Sequence, residues 1–189
     1  MKTKQFLLTS ALLIAGALIS CKKDNSDSNN NNNNNGANTD VSYTINGGTF
    51  KNQLITFNSN PNSTNSGADA SQGYLKISID DATSDDADSQ HALTIGFEKA
   101  GTGTSSVYKP IPNATGDDKG AAVGFSLELP SYYLSRSTVN QKDTPGTVTI
   151  TKFGAIGEPV EGTFEGTVMD IAGVKYTISG GRFKITRKG

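Results

Sequence analysis

Few side chains in this 189-residue sequence could do chemistry, and their numbers already narrow it. There is one cysteine, Cys21, and one histidine, His91. A lone cysteine makes no intramolecular disulfide framework, and a lone histidine falls short of a histidine-based zinc site. A Ser-His-Asp triad would have to use His91. That residue opens a stretch in which Leu93, Ile95 and Phe97 share its parity, which places it at the rim of a core. No Gly-x-Ser-x-Gly elbow accompanies it.

Carboxylates offer two further possibilities. Glu161 and Glu165 fall on one face of a strand, four residues apart, or roughly 13 Å. Glycosidase pairs stand about 5 to 9.5 Å apart, so these two would each need a partner from another strand. Otherwise they are solvent-facing acids opposite Lys or Arg. The segment DDATSDDADSQ concentrates Asp80, Asp81, Asp85, Asp86 and Asp88. Calcium takes six to eight oxygen ligands, so this loop is a candidate Ca²⁺ site. Its spacing departs from D-x-[DN]-x-[DN]-G, and a solvated hairpin loop whose charges oppose edge-to-edge aggregation explains it equally. Finally, Pro130 to Arg136 reads PSYYLSR. Tyr132, Tyr133 and Arg136 form a candidate protein- or sugar-binding platform, because exposed Tyr with Arg is typical of contact surfaces. The opposing account has one ring facing the core and the other covering an edge.

The elements that must hold these groups are strands. Leu75, Ile77 and Ile79 alternate with Lys76 and Ser78, and Leu93, Ile95 and Phe97 alternate with Thr94 and Gly96. Ala121, Val123, Phe125, Leu127 and Leu129 extend the same period over nine residues. Such alternation describes antiparallel strands with one face on a core. Further strands are expected at 41–45, 53–58, 147–153, 160–168, 173–179 and 182–187, with Asn46-Gly47-Gly48 supplying positive φ angles for a tight hairpin. Loops are expected at 58–72, 80–90, 99–119 and 137–146. No window after the first twenty residues carries a 3.6-residue apolar stripe. The expectation is an all-β domain over 41–189, an antiparallel sandwich of nine or ten strands with Greek-key or jelly-roll-like connections; a barrel is the alternative. Val160, Gly162, Phe164, Gly166 and Val168 share one face, and missing side chains there let a ring or a neighbouring backbone come close.

The amino terminus supplies an address. MKTK carries two lysines and no acid, and Phe6 to Ser20 reads FLLTSALLIAGALIS. That run is shorter than the ~20 residues a membrane span needs and fits a signal peptide over 1–20. Leu18-Ile19-Ser20-Cys21 resembles the lipobox of bacterial lipoproteins. The resemblance implies cleavage before Cys21, diacylglycerol on its thiol and usually acylation of the new amine. Several acyl chains anchor a protein stably where one does not. Residues 21–40 then hold the seven asparagines Asn29 to Asn35 and no large apolar side chain. They cannot offset their own ordering entropy and act as a tether of roughly 25 Å. Lys22, Lys23, Asp24 and Asp27 resemble the charged start of Bacteroidota lipoproteins, which implies the outer membrane, facing either the cell surface or the periplasm.

Without residues 1–20, fifteen Lys and Arg face eighteen Asp and Glu, a net charge of −3. That balance gives no reason to expect nucleic acid as a partner. Gly146 to Thr151, Gly162 to Phe164 and Gly181 to Phe183 resemble the closing strands of uncharacterised Bacteroidota envelope lipoproteins, which implies a β-domain and no activity. The chain thus reads as a lipid-anchored lipoprotein with a non-catalytic domain that binds a protein or glycan or supports an envelope complex. A carboxylate-dependent hydrolase acting on polymers is the alternative. No cofactor is expected beyond Ca²⁺ at the aspartate loop.

Overall fold

The computed structural model describes residues 40–60, 63–81, 90–112, 114, 119, 121–134 and 145–189, all within one compact unit. Every regular element among them is a strand. In chain order these are β1 (Asp40–Gly47), β2 (Phe50–Asn58), β3 (Gly67–Asp69), β4 (Leu75–Asp80), β5 (Ala92–Phe97) and β6 (Gly103–Ser106). They continue with β7 (Gly124–Leu129), β8 (Tyr132–Leu134), β9 (Gly146–Phe153), β10 (Pro159–Met169) and β11 (Lys175–Thr186). Two antiparallel sheets result, one of six strands in the order β2-β1-β11-β10-β9-β6 and one of five, β3-β4-β5-β7-β8. Neither closes on itself, so the fold is a sandwich and not a barrel.

Burial follows the alternation. Leu75, Ile77 and Ile79 of β4, Leu93, Ile95 and Phe97 of β5, and Phe125, Leu127 and Leu129 of β7 are buried. Val41, Tyr43 and Ile45, Val148 and Ile150, Val160, Phe164 and Val168, and Tyr176, Ile178, Phe183 and Ile185 face them from the other sheet. Each such side chain contributes about 1.5–3 kcal/mol on leaving water.

The two layers cross rather than align. Phe57 of β2 stacks on His91, just before β5, while Phe50 of the same strand meets Tyr132 of β8. One strand of the first sheet therefore runs over the ends of several strands of the second, as in orthogonal packing. A corner joins the layers. Beyond β6 the chain leaves β9, and the Tyr108 amide donates to the Val123 carbonyl while the Val123 amide donates to that of Lys109, at 2.7 and 2.8 Å. Ala121 to Val123 therefore keep the alternation of β7 but pair with this corner instead of with β5. At another edge Ala68 of β3 bridges Arg187, just past β11.

The described residues form eleven strands where the sequence suggested nine or ten. The additions, β3, β6 and β8, hold three or four residues each, too few to register as a period. The strands expected at 173–179 and 182–187 are one strand, because Gly180 (φ +61°) makes a bulge and not a turn. In the first hairpin the positive φ angles fall on Gly47 and Gly48, not on Asn46. The glycines on the inner face of β10 do admit close neighbours. Gly162 pairs with Phe183 and Phe164 with Gly181 across β10 and β11, and each ring occupies the space of the missing side chain.

Candidate functional site

Cys21, Asp85, Asp86, Asp88 and Arg136 lie outside the described residues. Of the two remaining aspartates of the proposed calcium loop, Asp81 has both carboxylate oxygens engaged, whereas Asp80 Oδ1 is buried with no hydrogen-bond partner among the described residues. Ser63 donates its hydroxyl to Asp80 Oδ2 at 3.0 Å, and the Asp80 amide donates to Ser66 Oγ at 3.0 Å. Asp81 Oδ1 accepts the His91 amide at 2.6 Å, and Oδ2 lies 2.9 Å from His91 Nδ1. With the Asp81 amide bonded to the His91 carbonyl, these contacts tie the neck of the β4–β5 connection. Among the described residues no three acidic, histidine or cysteine side chains come together around an ion site.

The paired tyrosines separate. Tyr132 turns toward the first sheet, its ring 5.3 Å edge-on from Phe50, which in turn lies 5.9 Å from Tyr176. The Tyr176 hydroxyl donates to Asp170 Oδ2 at 3.0 Å, and Asp170 Oδ1 accepts the amides of Ala172 and Val174 at 2.9 Å each. The Val174 amide foremost, with the other donors, holds the Asp170 carboxyl below its ordinary value. Burial first, and then this bond, pushes Tyr176 up. Tyr133 alone points outward, 49% exposed, in register with Glu128. A two-ring platform is therefore not formed; alternation forces adjacent strand residues to opposite faces.

Of the two glutamates considered as acids, Glu161 sits between Lys152 and Lys184, at 3.6 and 3.7 Å. Glu165 points out from the same face and accepts the Thr147 hydroxyl at 3.5 Å. Glu165 borders a developed feature of the outer surface. The open face of the six-stranded sheet carries one cross-strand row that is nearly all hydroxyl. Thr104 opposes Thr149, Thr149 opposes Thr163, Thr163 opposes Arg182, Arg182 opposes Ser42, and Ser42 opposes Thr56. Thr104 and Thr149 share a hydrogen bond of 2.9 Å.

That row is broken by a hollow. Between Ile178 and Gly181 the strand β11 carries one more residue than β10, and a similar shift separates it from β1. The extra residue arches the backbone. Gly180 takes the left-handed conformation there, with nothing within 4 Å of where a Cβ would stand. The result is a trough of about 530 Å³ with Gly180 and Gly181 inside it, walls of Thr147, Thr149 and Thr163, Arg182 at one end and Glu165 along one side. That volume is within the range of small-ligand sites, roughly 300–1,000 Å³. The Arg182 side chain is exposed and has no hydrogen-bond or ion-pair partner among the described residues.

Sequence reasoning treated Gly146 to Thr151, Gly162 to Phe164 and Gly181 to Phe183 as structural and missed this trough. The available signal was Thr147-Val148-Thr149-Ile150-Thr151 beside Ser179-Gly180-Gly181-Arg182, but nothing in either says that β9, β10 and β11 are neighbours. No protein-family model matches the chain, and neither a curated protein nor a solved structure is significantly similar to it.

Proposed function

We propose that the chain is a lipid-anchored lipoprotein of the outer membrane whose sandwich domain binds a glycan through the open face of the six-stranded sheet. The observation that carries the binding is the trough beside the hydroxyl row, where donors and acceptors stand on backbone that rigid neighbouring strands hold in place. The anchor rests on the lipobox-like Leu18 to Cys21 and the asparagine-rich residues that follow. Binding a protein, or supporting an envelope complex, is the neighbouring version of the same reading. Hydrolysis by Glu161 and Glu165 is less well supported, because two lysines already neutralise Glu161.

Two measurements test the two halves. Cells fed a labelled fatty acid should label the chain, and Cys21→Ser should abolish both label and membrane fractionation. Retained label in that variant refutes the anchor. For binding, the full chain in detergent micelles is presented to a glycan array beside a Thr149→Arg/Thr163→Arg variant. Thr94→Arg, on the outer face of the other sheet, is the control. Capture lost only in the double variant is expected. Capture of no glycan, or equal loss in the control, refutes the glycan reading.

A further inference from the structure

We infer that the trough takes a uronic-acid unit of an acidic polysaccharide, with Arg182 holding the carboxylate. This inference rests on the glycan reading and names its ligand class. An arginine side chain is charged at every physiological pH and presents its donors in a planar fork that matches a carboxylate two bonds at a time. Arg182 has no such partner among the described residues. The nearby acid Glu161 is taken by Lys152 and Lys184, and Glu165 receives Thr147. An anion arriving from outside would complete the fork.

The rest of the trough specifies what the anion must be attached to. Thr163 stands opposite Arg182 on β10, with Thr149 one strand further and Ser42 on the other side. Hydroxyls both donate and accept, which suits the alternating demands of a sugar's own hydroxyls. Glu165 lies two residues along β10 from Thr163, a diagonal of roughly 7–8 Å from Arg182. A carboxylate there accepts from sugar hydroxyls and repels a second negative charge. The site is therefore polarised: one negative group is welcome at Arg182 and a neutral polyol at Glu165. That polarity argues for a monoanionic sugar acid over a densely sulfated or phosphorylated polyanion. Gly180 lines the hollow, and nothing stands within 4 Å of where its Cβ would be, so a side chain here has open space beside the hollow to occupy.

The test uses the full chain in detergent micelles and isothermal titration calorimetry. The probes are trisaccharides in which a single galacturonic, glucuronic or mannuronic acid is joined to neutral hexoses, their all-neutral counterparts, and inorganic phosphate. At least one acidic trimer should bind, with its neutral counterpart roughly tenfold or more weaker. Arg182→Gln should weaken the acidic trimer to the level of the neutral one. Gly180→Asn, which tolerates the left-handed backbone and fills the hollow, should weaken both. Wild-type melting temperature in each variant shows that folding is intact. The inference is overturned if no acidic trimer binds, if Arg182→Gln leaves affinity unchanged, or if phosphate binds as tightly as the trimer. Neutral glycans captured on the array independently of Arg182 would overturn the acidic ligand and leave the glycan reading standing. Failure of every glycan would end both.

Discussion

Replacing Gly162 with alanine should cost about 3 kcal/mol of stability. A methyl group at this position would stand 2.6 Å from Cζ of Phe183 and closer still to the carbonyl oxygen of Thr149. Carbon atoms in contact prefer about 3.5–4.0 Å, so the overlap is roughly an ångström. Neither neighbour yields cheaply. Phe183 is 3% exposed and packed on every side, and the Thr149 oxygen belongs to the backbone of β9. Overpacking a core costs about 1–3 kcal/mol, and displacing backbone puts this case at the upper end. For a domain of this size each kcal/mol lowers Tm by about 2–4 °C, so Gly162→Ala should melt roughly 6–12 °C early. The control is Gly101→Ala, where nothing lies within 4 Å and φ is not positive. That change should leave Tm unchanged or raise it slightly, by restricting the unfolded chain. Circular-dichroism melts of both variants measure the difference. If Gly162→Ala melted within about 2 °C of the parent, the Phe183 ring could not be filling the space of the missing side chain.

Four other outcomes follow from specific contacts. The Tyr43 hydroxyl is buried without a hydrogen-bond partner among the described residues, and burial pushes its pKa up; Tyr43→Phe should therefore leave stability unchanged or raise it by about 1 kcal/mol in urea titrations, and a clear loss would reveal a partner. Tyr132→Ala should cost about 2 kcal/mol through its contact with Phe50, whereas Tyr133→Ala should stay within about 0.5 kcal/mol; equal effects in denaturation would contradict the opposite facing of the two rings. The Asp170 carboxyl has a folded pKa below its ordinary value, so its contribution is complete above about pH 3.9 and is lost as pH falls through the folded value. Hydrogen-exchange protection of the Val174 amide should accordingly drop in that acid range, and Asp170→Asn should abolish the pH dependence; protection that held through the acid range would contradict it. Calcium in 100-fold excess over its Kd would stabilise the fold by about 2.7 kcal/mol; a rise in Tm of several degrees on adding CaCl₂ would make the aspartate loop, with the unpartnered Asp80 Oδ1 at its neck, a metal site, and an unchanged Tm would dismiss it.

How much of this was legible varies by element. β4, β5 and β7 were plain because a half-buried strand writes its two faces into alternate residues, and Leu75 to Ile79, Leu93 to Phe97 and Phe125 to Leu129 each do so without interruption. His91 at the core rim was legible for the same reason, and its stacking on Phe57 follows from that position. The short strands β3, β6 and β8 were not, since three or four residues cannot display a period. Ser179-Gly180-Gly181 looked like an interruption between two strands, because a glycine pair is written the same way for a turn and for a bulge. The Tyr132-Tyr133-Arg136 platform depended on which way each ring points, and only packing against Phe50 decides that.

By itself the sequence determined the class of the fold, the face each strand turns to the core and, with a single cysteine, the absence of a disulfide framework. These are local properties, carried by side-chain type and by a period of two. Tertiary structure alone decided which strands are neighbours, that one sheet crosses the other, and that Arg182, Thr149, Thr163 and Glu165 line one trough. The physical reason is that alternation records which side of a strand meets water and says nothing about the strand beside it. Partner choice comes from how the two layers cover each other's apolar area, a sum over the whole domain that no single stretch contains.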